Sequence, residues 1–176
     1  MIDFPPRAWG DAAGTARLRG CPADFRVEEV LGFEPDGEGE HCFLLLEKTG
    51  LTTADVAQRI ARLAAVPRSG VGYSGLKDRQ AITRQWFSVG PVGRDAPDWR
   101  ELESPDQLRL LTIRRHRRKL RRGVHRGNRF ELVLTELSAD RNELAARLDR
   151  IAAEGVPNYF GPQRFGRGGS TLAQAS

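Results

Sequence analysis

Asp78 stands between two cations, Lys77 and Arg79, in the stretch GYSGLKDRQAITRQW that spans residues 72 to 86. A carboxylate so placed can be a surface ion pair, a turn-forming residue or a nucleophile. Gly75 and the polar KDRQ imply a bend between two strands. Asp78 then sits at a strand end, where a rigid sheet can hold a reactive group in place. Neighbouring cations favour the ionised carboxylate even when a substrate closes over it and excludes water. On these residues alone the three readings stay open.

A second stretch carries dense charge. RRHRRKLRR, residues 114 to 122, contains no acid and seven cations: Arg114, Arg115, Arg117, Arg118, Lys119, Arg121 and Arg122. The formal net charge is +5 and the isoelectric point about 9.9, yet without this segment the rest of the chain is mildly acidic. Cations packed this closely repel one another. A polyanion relieves the repulsion, and each phosphate contact releases counterions. Nearly all the cations are arginines, whose planar fork suits bidentate phosphate contact. The segment reads as a nucleic-acid contact, with a solvated charged face as the structural alternative.

Metal chemistry finds little support. Cys21 and Cys42 lack C-x-x-C spacing and read as two buried thiols, and His41, His116 and His125 form no spaced ligand motif. The acidic, glycine-rich LGFEPDGEGEH (31 to 41) lacks the ligand spacing of an EF-hand and reads as a solvated hairpin loop. No apolar run is long enough to cross a membrane, and MIDFPPRAWG lacks a signal-peptide layout. The expectation is a cytosolic protein without metal, cofactor or membrane partner, and a monomer.

The elements that must position Asp78 follow from hydrophobic period. TARLRG (15 to 20) and DFRVEEVL (24 to 31) alternate apolar and polar residues as half-buried strands do, and HCFLLLEK (41 to 48) is a stronger strand. LTTADVAQRIARLAAV (51 to 66) is a helix, capped by Thr52 or Thr53, with Val56, Ile60, Leu63 and Ala64 on one face and Pro67 as its stop. VGYS (71 to 74) and TRQWFSVG (83 to 90) read as strands on either side of the Asp78 bend. Residues 91 to 106 form a loop or short irregular helix. LRLLTIRRHRRKL (108 to 120) starts as a strand and runs into the basic cluster. NRFELVLTEL (128 to 137) alternates as one strand with Phe130, Leu132 and Leu134 on one side, and RNELAARLDRIAAEG (141 to 155) is a helix closed by Gly155. Short links between most strands favour antiparallel pairing. The fold class is α+β, a mainly antiparallel mixed sheet flanked by helices.

Four blocks in this order and spacing resemble the TruD family of tRNA pseudouridine synthases: DFRVEEVLGFEPDGEGEH (24 to 41), GYSGLKDRQAITRQW (72 to 86), RKLRRGVHRGNRFELVL (118 to 134) and GVPNYFGPQRFGRGG (155 to 169). The resemblance implies isomerisation of a uridine in tRNA, typically uridine 13 in bacteria, to pseudouridine without a cofactor. By the same resemblance Asp78 is the catalytic aspartate. Phe25, Asn128 and Phe130 contact the substrate, and Arg19 takes the place of a basic residue, a lysine in some relatives, whose side chain can pair with the aspartate. A flipped uridine needs an aromatic platform and a hydrogen-bond partner for its edge, which Phe25 or Phe130 and Asn128 supply. Arg19 or Lys77 would hold Asp78 as its anion.

Members of that family are longer, with a second domain inserted after the region that ends here and a returning strand that completes the sheet. Residues 1 to 155 are therefore expected to be the N-terminal part of the catalytic domain, and 156 to 176 the start of the connection to the inserted domain. On that expectation this chain alone binds RNA weakly and isomerises it poorly. The competing readings are a non-catalytic RNA-binding module with a structural Asp78, and an interaction domain for an acidic protein.

Overall fold

A computed structural model describes residues 7 to 92 and 96 to 159. The chain divides into two compact units, Arg17–Thr135 and, by itself, Met1–Ala16 with Glu136–Ser176. The larger unit holds a six-stranded sheet of β2 (Phe25–Val30), β3 (His41–Lys48), β4 (Val71–Tyr73), β5 (Ile82–Val89), β6 (Leu108–His116) and β7 (Gly127–Leu132). Its order is β6-β3-β5-β2-β7, with β4 paired to β5. Every pairing is antiparallel except β2 with β5. A separate two-stranded sheet pairs β1 (Gly14–Leu18) with β8 (Leu134–Ala139), and the smaller unit holds α2 (Arg141–Glu154). The fold is α+β with a mainly antiparallel mixed sheet, as the periodicities imply.

The core forms around β3, the most apolar strand. Leu44 and Leu46 face α1 (Thr53–Leu63), whose Val56, Ala57, Ile60 and Ala61 are buried against them. Phe43 points to the other face and packs with Leu31, Leu120 and Trp86. Thr52 is the N-cap of α1: its hydroxyl accepts the Asp55 N–H while the Asp55 carboxylate accepts the Thr52 N–H, a reciprocal capping box. The helix ends at Leu63, before Pro67, because Ala65 turns into the left-handed region at φ 51.

Three expectations are corrected. Residues 31 to 41 are not a hairpin loop, since β5 lies between the two strands they connect. Neighbouring strands are spaced about 4.8 Å apart, so ten residues bridge that extra gap easily. The single strand expected over 128 to 137 is two, β7 and β8, in different sheets; between them the Val133 N–H donates to the Asp24 carbonyl. Cys21 is exposed, and only Cys42 is buried. Beyond Tyr159 the segment expected to begin the inter-domain connection lies outside the described residues.

Candidate active site

The site grows from a fork in the sheet. One edge of β5 pairs with β2 through residues 82 to 84 and with β4 through residues 87 to 89. Gln85 and Trp86, between the two, have no strand partner on that edge. Side chains fill the gap. The Trp86 N–H donates to Glu29 Oε1 at 3.2 Å, and Gln85 Nε2 donates to the Gly75 carbonyl at 2.6 Å. Thr53 Oγ1 donates to Gln85 Oε1 and accepts the Lys77 N–H, each at 2.9 Å. The loop that joins β4 to β5 and carries Asp78 is thus pinned at its middle by α1 and β5.

Asp78 sits on this loop with its side chain 35% exposed. Oδ1 accepts the Gln80 N–H at 2.9 Å, and Oδ2 accepts from Arg19 Nη1 at 3.1 Å. Beneath it, the fully buried Lys48 donates from Nζ to the Asp78 carbonyl at 2.9 Å and to the Leu51 carbonyl at 2.8 Å. Burial lowers the Lys48 pKa to about 8, against the opposing pull of Asp78. Both the carboxylate and the main chain of Asp78 are therefore held from defined directions.

Arg19 occupies the left-handed region at φ 61, a costly conformation for a side chain of this size. It carries a guanidinium that lies 3.9 Å over the Phe25 ring while its edge reaches Asp78. Phe25 in turn stacks on Phe130, with centroids 6.1 Å apart and planes 15° from parallel. The register explains the pair: Val27 lies opposite Phe130 on β7, so Phe25 is its diagonal neighbour on the same face. Phe130 is 58% exposed and Phe25 only 7% exposed. The two aromatics that alternate like core residues therefore divide, one into a support and one into an open platform.

Asn128 lies two residues before Phe130, opposite Glu29. Its Nδ2 lies 3.4 Å from His125 Nε2, and His125 Nδ1 lies 2.6 Å from Ser74 Oγ. Ser74 Oγ also accepts the His125 N–H at 2.8 Å. A Cβ at Gly75 would stand 3.3 Å from His125 Cε1, so the glycine leaves room for the imidazole. Asp78, Arg19, Phe25, Phe130 and Asn128 thus belong to one unit, with Ser74 and His125 behind Asn128.

The flanking cations do not serve Asp78 as its sequence neighbourhood suggests. Lys77 Nζ donates to Glu29 Oε2 at 2.7 Å in a pair only 4% and 0% exposed. Arg79 Nε donates to the Gly50 carbonyl at 2.9 Å. Of the two partners the sequence offers for Asp78, the ion pair goes to Arg19. Glu29, Lys48, Ser74 and His125 are structural residues of the site that the sequence reading passed over.

The basic segment is also less uniform than it reads. Arg114 and Arg115 lie within β6, and Arg115 Nη1 donates to the Val92 carbonyl. Arg117 is tied to the acidic loop, its guanidinium to Glu38 and its N–H to Asp36. Lys119 donates to the Ser69 carbonyl, Leu120 is buried, and Arg122 faces Tyr73. Arg118 and Arg121 make no side-chain hydrogen bond or ion pair among the described residues.

Residues 8–171 match the family described as tRNA pseudouridine synthase D (TruD). A protein of Methylococcus capsulatus named tRNA pseudouridine synthase D is 56% identical over 174 residues, covering 99% of this chain and 49% of that protein. One of the same name from Pseudomonas aeruginosa is 54% identical over 170 residues, covering 97% and 48%. The chain spans about half the length of the curated relatives it matches. The crystal structure of the putative tRNA pseudouridine synthase D from Methanosarcina mazei superposes with a TM-score of 0.78 at 27% identity, covering 93% of this chain and 38% of that one.

Proposed function

Because the chain belongs to the tRNA pseudouridine synthase D family, we propose that the full-length protein isomerises a uridine of tRNA, uridine 13, to pseudouridine with Asp78 as nucleophile. The observation that carries this reading is the run Asp78, Arg19, Phe25, Phe130: a carboxylate oriented by a guanidinium that rests on an aromatic stack ending in an exposed ring. The reaction breaks the C1′–N1 bond, forms a C1′–C5 bond and moves a proton from C5 to N1. It adds and removes no atoms and leaves the oxidation state unchanged, so it requires no co-reactant.

The flipped uracil stacks on Phe130, backed by Phe25, and Asn128 bonds its polar edge. The carboxylate of Asp78 meets the nucleotide as an anion, whether it engages the ribose at carbon 1, the 2′ proton or the uracil ring. Arg19 orients that anion and, being half exposed, can give way to substrate. Lys77 contributes through Glu29, and Arg114, Arg118, Lys119, Arg121 and Arg122 contribute to phosphate binding. The experiment is Asp78→Asn in the full-length protein, assayed for pseudouridine formation and tRNA affinity. Loss of product with affinity retained is expected. Activity that survives the change removes Asp78 as nucleophile.

A further inference from the structure

Away from Asp78, four cations ring an open cleft between residues 68 to 73 and 119 to 122: Arg68, Lys119, Arg121 and Arg122. Tyr73 lines it as well. The Arg68 guanidinium lies 5.3 Å and the Arg122 guanidinium 5.8 Å from the Tyr73 ring centroid, and Arg68 Nη2 donates to the Tyr73 hydroxyl at 3.4 Å. Partial burial raises the phenol's pKa, but the Arg68 and Arg122 guanidiniums beside it outweigh burial and bring it below the ordinary value. The ion pairs of the described residues all lie elsewhere, so no carboxylate among those residues neutralises this group.

The cleft is built rather than incidental. A Cβ on Gly72 would lie 2.2 Å from the Leu120 carbonyl, so only glycine lets the two segments approach this closely. Leu120 is buried, its N–H donates to Ser88 Oγ at 2.9 Å, and the Gly123 N–H donates to the Ser74 carbonyl at 2.8 Å. The main chain beneath the cations is thus fixed at both ends of the short run that carries three of them. Four like charges held together by a rigid backbone repel one another, and an anion in the cleft turns that repulsion into attraction.

We propose that this cleft binds the phosphodiester backbone of the RNA strand that delivers the target uridine, with Tyr73 organising Arg68 and Arg122 into a fixed phosphate fork. The inference rests on the RNA-directed function proposed above. Tyr73 lies five residues before Asp78, which bounds their separation at roughly 18 Å for even a fully extended chain. A phosphate held here therefore belongs to a nucleotide close to the one at Asp78. Arg68 lies outside the basic run and Tyr73 carries no charge, so composition points to neither.

The test uses the full-length protein and a tRNA transcript, with the dissociation constant measured across a salt series. Replacing both arginines, Arg68→Gln with Arg122→Gln, should weaken binding on the order of 10-fold and flatten the salt slope by about 1.5. Arg121→Gln removes a side chain with no hydrogen bond or ion pair among the described residues, so folding is not at issue; its slope should fall by about 0.7 to 0.9. Slopes unchanged in both variants overturn the proposal, as does a loss confined to a polyglutamate probe. Pseudouridine formation by the unaltered protein is scored alongside. Its absence sinks the functional reading, whereas its presence with unchanged slopes sinks the cleft alone.

Discussion

Lys77 and Asp78 are adjacent in sequence, yet each enters an ion pair of a different kind. Lys77 meets Glu29 at 2.7 Å in a setting from which water is excluded, and Asp78 meets Arg19 at 3.1 Å where both side chains are about two-fifths exposed. A buried pair is costly to break, because either partner alone is an uncompensated charge in low dielectric. An exposed pair adds little to folding stability, because water and salt screen it. The difference separates framework from chemistry. Lys77–Glu29 ties the Asp78 loop to the unpaired edge of β5, whereas Arg19–Asp78 lies open to solvent.

The largest expected effect falls on activity. Asp78→Asn in the full-length protein should lower pseudouridine formation by at least about 10³-fold, as the nucleophile role proposed for Asp78 requires. Its unfolding free energy in urea should move by less than about 1 kcal/mol. Lys77→Met should reverse the pattern, costing about 3–5 kcal/mol of stability by stranding Glu29. Equal destabilisation by the two variants would erase the distinction between the pairs.

Arg19 tests the exposed pair from its other side. Arg19→Ala removes both the bond to Asp78 and the cover on Phe25, and should lower kcat roughly 10- to 100-fold, in line with a lost charge-assisted hydrogen bond of about 1.5–3 kcal/mol. Arg19→Lys should restore only part of that loss, because an ammonium keeps the charge but not the planar face that rests on the ring. Full rescue by lysine would mean that the stacking on Phe25 plays no part in positioning.

Much of this was legible in the alternation of the strands. Phe25, Val27 and Glu29 share one phase of β2, and Cys42, Leu44, Leu46 and Lys48 share one phase of β3, so each strand places a charged group on its buried face. That is the sequence signal for Glu29 and Lys48, since a charge at an apolar phase must find a partner inside. The fork in the sheet was not legible. Strand order depends on which distant segments pair, and nothing local tells residues 31 to 41 that β5 will come between the strands they join. The same holds for Arg19: its pairing with Asp78 bridges 59 positions and hangs on one left-handed residue. Density of charge also overstated the unity of residues 114 to 122, because Leu120 anchors in the core and turns its neighbours toward different partners.

The last expected effect concerns Lys48, which belongs to the framework side of the comparison although it touches the main chain of Asp78. Burial pulls its pKa from the ordinary lysine value of 10.5 to about 8, with Asp78 and Asp55 pulling it up and Lys77 pushing it down. Folding thus disfavours the ammonium. Between about pH 8 and 10.5 the unfolded chain holds a proton that the native state has released, so the contribution of this group to stability rises with pH across that window. Below pH 8 its penalty is fully present. Lys48→Met removes the titration, and it also strands the Leu51 and Asp78 carbonyls that the amine satisfies. Urea unfolding of both proteins from pH 7 to 10 should show the parent gaining stability relative to the variant above pH 8. Curves that stay parallel would mean that Lys48 is not held in the low-dielectric setting that its two carbonyl bonds imply, and that the Asp78 loop is less rigidly framed than the Lys77–Glu29 pair suggests.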